Sequence, residues 1–127
     1  MSKEDIIEQV ISCIRKVLVL EDDEPVQLSD SLSEDLGAES IDFVEIVHTL
    51  SRHYDIIAER NEIYPSRDFL TNTTFIIPNK SITERGADEI TTRWPHIEKN
   101  ITKSYENFFS YLGSVSILVD FLEKKLS

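Results

Sequence analysis

A tight turn followed by an amphipathic helix, over residues 35–54, constrains the fold of this 127-residue chain more than any other stretch. The small residues Gly37 and Ala38 keep side-chain bulk away from Ser40, so a large molecule can approach its hydroxyl. Apolar side chains then recur at i, i+4, i+7 and i+11, which is the spacing of one helix face. We therefore predict a helix after Ser40 whose inward stripe consists of Phe43, Val47, Leu50 and Tyr54.

The outer faces of this predicted helix are apolar near the serine and acidic in the first turns. Ile41, Val44 and His48 share a face that borders the serine. Asp42 and Glu45 lie where a negative charge interacts favourably with the helix dipole, by about 0.3–1 kcal/mol each. The helix therefore offers both apolar and charged contacts beside one hydroxyl.

Ser40 itself has two interpretations. Serine is a good helix N-cap, in which case its hydroxyl serves the backbone only. Alternatively the hydroxyl is free to be modified, and the unpaired N–H groups at a helix start favour an anion such as a phosphodiester there. The small residues before Ser40 and the acids after it favour modification.

This stretch resembles the phosphopantetheine-attachment site of acyl carrier proteins, Asp-Leu-Gly-Ala-Asp-Ser-Leu-Asp followed by Val-Glu-Leu-Val. Ile41 and Ile46 are conservative replacements, and Glu39 stands where the family has a near-constant Asp. The identical positions are Asp35, Leu36, Gly37, Ala38, Ser40, Asp42, Val44, Glu45 and Val47.

The resemblance implies that Ser40 is esterified by 4′-phosphopantetheine and that partner enzymes recognise the helix after it. Asp42 and Glu45 would contact partner Lys and Arg side chains, and Ile41 and Val44 would add apolar contact. The remaining implied partner-binding residues are Glu39 and His48. Carriers usually have an apolar residue at the His48 position, and Arg52 and His53 make the second half of the helix more basic than in the family, which implies a different partner set.

The two ends of the chain also fit this family. Residues 3–19 have the apolar spacing of a first helix, with Ser2 and Asp5 as a capping box. Residues 114–126 resemble the family's last helix. The resemblance thus covers residues 1–56 and 113–127, and implies an all-α, acyl-carrier-like four-helix bundle, one domain over 1–127, enlarged by a helical insertion of about 57–112.

The insertion holds eight of the eleven aromatic residues, more apolar bulk than a disordered segment carries. We predict a helix from a capping box at Ser81–Glu84 to Trp94, a second helix over 100–112, and an extended loop over 73–78. Two interpretations of the aromatic residues stay open. They pack an enlarged core, or some line a cavity for an unusual acyl chain or a docking face.

Net charge is −11, and residues 21–45 hold ten acids with no Lys or Arg. Such a patch either steers basic partners or is a solvated loop, and it disfavours nucleic-acid binding. No apolar run reaches the roughly 20 residues of a membrane span, and the acidic N-terminus is unlike a signal peptide, so we expect a cytoplasmic protein.

Other kinds of site are disfavoured by composition and spacing. Cys13 is the only cysteine and is expected to pack as a small semi-buried residue. His48, His53 and His96 lack the spacing of a metal site, so we expect structural or surface histidines and no metal. A Ser-His-Asp hydrolase on Ser40 would lack the nucleophile-elbow glycines.

The resemblance to acyl carrier proteins therefore implies a non-catalytic carrier that holds an acyl or related group as a thioester on Ser40-bound phosphopantetheine, and we expect a monomer. Its partners would be a phosphopantetheinyl transferase and acyl-transferring or condensing enzymes with basic docking surfaces, in fatty acid, lipid or polyketide-type biosynthesis. Fatty acyl, hydroxyacyl, polyketide and aminoacyl cargoes all stay open. The alternatives are an interaction module that keeps the fold without the prosthetic group, and a small hydrolase or other enzyme.

Overall fold

A computed structural model describes residues 2–101 and 104–127, and within these ranges the fold is mainly helical. In chain order the elements are α1 (Lys3–Leu18), α2 (Ser40–Tyr54), α3 (Arg60–Ile63), α4 (Arg67–Leu70), β1 (Ile76–Ile77), β2 (Ser81–Ile82), α5 (Glu84–Arg93), a 3-10 helix (Pro95–Asn100), α6 (Tyr105–Leu112) and α7 (Val115–Leu126). The predicted all-α class is confirmed.

Helix α1 packs against both α2 and α7 and begins at the predicted capping box. The Ser2 hydroxyl accepts a hydrogen bond from the Asp5 N–H (3.2 Å), and the Asp5 carboxylate accepts one from the Ser2 N–H (3.4 Å). The helix ends at Leu18, one residue earlier than predicted, because Val19 adopts the left-handed conformation with φ of 53°. That conformation terminates a helix.

The inward stripe of α2 differs from the prediction by part of a turn. Ile46 and Leu50 are the buried residues of this helix, whereas the predicted Phe43, Val47 and Tyr54 are only half-buried. The reason is the position of α1, whose Cys13 thiol lies against the Ile46 carbonyl oxygen (3.7 Å).

A short antiparallel hairpin occupies the stretch that we predicted as an extended loop. Ile76 pairs with Ile82 and Ile77 with Ser81, and Asn79 makes the turn with φ of 61°. The prediction of a loop is wrong because Ser81, which the sequence pattern places at a helix cap, instead pairs with Ile77.

The start of α5 is correspondingly later than predicted. Thr83 is the N-cap, and its hydroxyl accepts a hydrogen bond from the Gly86 N–H (3.0 Å). The predicted capping box at Ser81–Glu84 is wrong, since Ser81 belongs to β2. The end of the helix at Arg93, next to Trp94, is close to the prediction.

The C-terminal part of the chain follows the prediction with one shift. The helix predicted over 100–112 begins at Tyr105 with Ser104 as its N-cap, and part of the predicted span, residues 102–103, lies outside the described residues. Helix α7 begins at Val115 after Ser114, as predicted.

The middle of the chain contributes to the core formed by α1, α2 and α7. Phe69, Trp94 and Phe108 are buried, and the Trp94 indole N–H donates to the Asn61 carbonyl oxygen (2.7 Å). These residues follow the core-packing interpretation. Tyr64, Tyr105 and Phe109 are instead half-buried and line surface grooves.

Candidate functional site

Ser40 is the first residue of α2 and its side chain is exposed. Its hydroxyl makes no hydrogen bond with any residue of the ranges 2–101 and 104–127. The N-cap position belongs to Glu39, whose backbone is extended (φ −98°, ψ 172°). The interpretation of Ser40 as an N-cap is therefore wrong, and its hydroxyl is left free at the helix start.

Asp42 has a structural task at the same helix start. One of its carboxylate oxygens accepts a hydrogen bond from the backbone N–H of Glu39 (3.0 Å). The carboxylate is half-buried and stabilises the first turn, where it also suits the helix dipole. The sequence pattern indicated the favourable interaction with the dipole and a contact with a partner, but not the hydrogen bond to the Glu39 N–H.

The turn before Ser40 is held in place by hydrogen bonds to the start of α7. The Leu32 N–H donates to the Gly113 carbonyl oxygen (2.9 Å), and the Val115 N–H donates to that of Asp30 (3.0 Å). The turn is then closed by the Ala38 N–H, which donates to the Leu32 carbonyl oxygen (2.8 Å). The position of Ser40 thus depends on residues more than 70 positions later in the chain.

Two residues of the matched motif shape this turn. The Asp35 carboxylate accepts a hydrogen bond from the Ser31 N–H (2.7 Å), which fixes the loop internally. Gly37 has a φ of +74°, a conformation that favours glycine. Apart from Gly37 itself and its two chain neighbours, no described residue has an atom within 4 Å of the place where a Gly37 side chain would begin, so the approach past this residue is open.

An open pocket of about 420 Å³ begins at Ser40. Phe43 of α2 forms one wall, and Tyr64, Leu70 and Phe109 from the middle of the chain form the other. The pocket shows that the aromatic middle segment flanks Ser40 without covering it.

Arg60 and Tyr64 meet the Phe43 ring in this pocket. The Arg60 guanidinium carbon lies 5.4 Å from the centre of that ring, and the Tyr64 ring contacts it edge-on at 5.1 Å. The Tyr64 hydroxyl is buried and has no hydrogen-bond partner in the part of the chain that the structure describes. Burial raises the pKa of this hydroxyl well above its usual range, so it stays protonated.

The predicted partner-binding residues form one surface beside Ser40. Ile41 is 73% exposed and Val44 is 62% exposed, and both lie on the outer face of α2. The side chains of Glu39, Glu45 and His48 are exposed as well, whereas Asp42 is half-buried. The sequence therefore identified an accessible surface that combines apolar and charged side chains.

Two residues of this surface, Ile57 and Arg60, were missed. Ile57 is 82% exposed, although an isoleucine after a helix end is expected to pack inward. Arg60 begins α3, where the sequence shows no helix-length pattern. The sequence did contain one signal for Arg60. It is the first Lys or Arg after Arg52, so the two residues are the cations of this stretch.

The other candidate side chains pack in the core or lie on the surface, and Cys13 is more deeply buried than predicted. Cys13 is buried, and desolvation raises its pKa to about 11. His96 is buried and donates a hydrogen bond from Nε2 to the Ile63 carbonyl oxygen (2.8 Å), while burial lowers its pKa. His48 and His53 are exposed. Residues 2–101 and 104–127 contain no cluster of His, Cys, Asp or Glu that could hold a metal ion.

In the described part of the chain, no helix combines the length and apolar character needed to cross a bilayer.

The geometry of Ser40 fits a large phosphate ester. The hydroxyl is exposed, the preceding turn is built from small residues, and the first N–H groups of α2 have no intrahelical acceptor. A model of the family described as phosphopantetheine attachment site matches residues 8–75, just over half of the chain. No curated protein and no solved structure matched the chain. The match contains Ser40 and the whole of α2, and it extends into the segment predicted as an insertion, whose boundaries remain a prediction.

Proposed function

Because the chain belongs to the phosphopantetheine-attachment family, which is defined by covalently attached 4′-phosphopantetheine, we propose that Ser40 is the residue that bears the group. The coarse function, a phosphopantetheine-carrying carrier protein, follows from the family itself. The observation that supports Ser40 is its exposed hydroxyl, which makes no hydrogen bond with the described residues although it lies at the first turn of a helix.

When bound, the group supplies a thiol that holds an acyl or related group as a thioester. The residues of the chain position it. The turn over 35–38 keeps bulk away from Ser40, and the N–H groups of the first turn of α2 would stabilise the negative charge of the phosphate. Carrier domains of this family are typically non-catalytic, and we propose the same for this chain.

A carrier domain interacts with the enzyme that modifies it and with acyl-handling enzymes. For this chain we propose a phosphopantetheinyl transferase and acyl-transferring or condensing enzymes with basic docking surfaces. The Lys and Arg side chains of these enzymes would pair with Glu39, Asp42 and Glu45. Apolar side chains of the enzymes would contact Ile41 and Val44 between these charges. We further propose a cytoplasmic monomer that serves fatty acid, lipid or polyketide-type biosynthesis.

Intact mass spectrometry tests the attachment site. The chain is incubated with coenzyme A, Mg²⁺ and a broad-specificity phosphopantetheinyl transferase, and the expected result is a mass gain of one phosphopantetheine. The gain is expected to vanish in Ser40→Ala and to persist in Ser33→Ala, since Ser33 is an exposed serine that lines the same pocket. A gain that survives Ser40→Ala would refute Ser40 as the attachment residue.

The same experiment separates the alternatives. No gain in the wild-type chain would favour an interaction module that keeps the fold without the group. A hydrolase on Ser40 requires a base in contact with its hydroxyl, and no described residue makes that hydrogen bond. Turnover of a generic thioester that is abolished by Ser40→Ala would nevertheless establish an enzyme.

A further inference from the structure

Exposed apolar side chains concentrate on one side of α2. Of the five large hydrophobic side chains that are exposed in the described ranges, three are Ile41, Val44 and Ile57. Val44 and Ile57 both line a groove of about 400 Å³ between α2 and the segment that follows it. We call this the distal groove. The half-buried side chains of Val47 and Ile56 also line it. Clustered exposed apolar surface of this kind marks an interaction site.

The charged residues that line the distal groove are basic, whereas Glu39, Asp42 and Glu45 at the start of α2 are acidic. Arg52, His48 and Arg60 line the groove, and no carboxylate of the described residues does. Asp55 and Glu59, the acids of the same stretch, lie outside it. Neither arginine forms a salt bridge within residues 2–101 and 104–127. Both cations are therefore available to a partner.

Helix α2 consequently has two ends of different charge. Asp42 and Glu45 lie in its first half, and Arg52 lies in its last turn. Fifteen residues of helix span about 22 Å. A standard interface of about 800 Å² on each partner is wide enough to cover that length. An enzyme that reaches Ser40 along α2 therefore meets both charge signs.

We propose that the distal groove binds an acidic segment of a partner enzyme, in which an apolar side chain enters between Val44 and Ile57 and flanking carboxylates pair with Arg52 and Arg60. The inference rests on the proposed carrier function for the identity of the partner, an enzyme that acts on the group at Ser40. The groove disfavours enzymes whose docking surface is uniformly basic, because their cations would face two arginines. It thus selects a dedicated partner from among those that the acidic end attracts.

The contact of Arg60 with Phe43 supports this assignment. The guanidinium carbon lies 5.4 Å from the centre of the ring, and both residues line the groove, so the ring holds the cation at the groove. An arginine that is oriented before binding loses less freedom when it forms a bidentate pair with a carboxylate.

A pair of designed helical peptides tests the proposal. One has a leucine face flanked by glutamates, and the other is identical except that lysines replace the glutamates. Each is titrated into ¹⁵N-labelled protein. We expect the acidic peptide to shift the amide signals of Val44, His48 and Ile57, and the basic peptide to leave them unchanged. The proposal would be overturned if neither peptide shifted these signals, or if both peptides shifted them equally.

Charge-reversed variants assign the effect to the two arginines. Arg52→Glu/Arg60→Glu is expected to weaken binding of the acidic peptide by about tenfold or more, because two exposed pairs are lost and two repulsions are gained. The matched control, Arg85→Glu/Lys99→Glu, changes the net charge equally at exposed positions outside the groove and is expected to bind as the wild type does. Equal weakening in both variants would show a nonspecific charge effect and overturn the proposal.

Two further measurements separate this proposal from its competitors. Peptide binding is repeated with Ser40→Ala, and we expect it to be retained. Retained binding shows that the groove acts independently of modification at Ser40, so the groove proposal can be tested even if the attachment proposal is wrong. Sedimentation velocity tests whether a second copy of the chain occupies the groove. A dimer that dissociates on Ile57→Glu would assign the groove to self-association and refute an enzyme partner.

Discussion

Replacing Gly86 by alanine tests whether the middle of the chain packs as closely as the structure shows. Gly86 lies in the first turn of α5 and is buried against the backbone of Phe75. A methyl group at this position would overlap the Phe75 carbonyl group. Because that contact is with backbone, it cannot be relieved by a side-chain rotation, and the hairpin must move away from α5.

The expected cost follows from the contacts that this movement breaks. The Phe75 carbonyl oxygen accepts a hydrogen bond from the Thr83 N–H (2.8 Å), and it shares the Thr83 hydroxyl proton (3.0 Å) with the Thr74 carbonyl oxygen (2.6 Å). Each neutral hydrogen bond contributes about 0.5–1.5 kcal/mol net. Forcing a methyl group into a packed site costs about 1–3 kcal/mol. Partial loss of both bonds together with the overlap gives an expected destabilisation of about 2–4 kcal/mol.

Urea unfolding followed by far-UV circular dichroism measures this cost. The matched control is Gly113→Ala, since the nearest atoms to an added methyl there are 3.9 Å away and the backbone φ is −87°, which alanine adopts readily. We expect the control to lie within about 0.5 kcal/mol of the wild type. A Gly86→Ala chain as stable as the control would refute the close approach of α5 to Phe75.

Two further predictions concern buried polar groups. Tyr64→Phe is expected to raise the free energy of unfolding by about 1 kcal/mol, because it removes a buried hydroxyl that has no partner among the described residues. Urea unfolding measures the change, and a loss of stability would show that the hydroxyl is hydrogen-bonded. Burial lowers the pKa of His96 in the folded state, so its contribution to stability is fully present above the unfolded pKa of about 6.5 and is lost as the pH falls towards the folded pKa. The free energy of unfolding is measured for the wild type and for His96→Gln from pH 8 to pH 5. Because only the wild type loses stability through His96 as the pH falls, the difference between the two should be larger at pH 8 than at pH 5. Parallel profiles would contradict the prediction.

The elements that could be predicted from sequence are those whose determinants are local. Helix α1 has its cap within the first five residues, where Ser2 and Asp5 exchange hydrogen bonds, and its apolar spacing runs unbroken. The start of α2 near Ser40 likewise follows from neighbouring residues, and so does the exposure of Ile41 and Val44. Such signals depend on contacts within one or two helical turns.

The errors arose where a distant residue decides between two local options. Ser81 satisfies the pattern of a helix cap, but it pairs with Ile77 in the hairpin, and Thr83 becomes the cap instead. In α2 the position of α1 buries Ile46 and leaves Phe43 half-buried, where it forms a wall of the pocket beside Ser40. Periodicity identifies a helix, but the neighbouring helix determines which side of it is innermost.

The candidate site likewise depends on parts of the chain that the motif does not include. The family match ends at residue 75, yet the turn before Ser40 is bonded to Gly113 and Val115 at the start of α7. The distal groove depends in turn on Arg60, which the Phe43 ring holds in place. The motif supplies a hydroxyl at the start of a helix, and the C-terminal helix sets the position of the turn that precedes it. The segment after α2 then supplies the cations by which, under our proposal, one partner is distinguished from another.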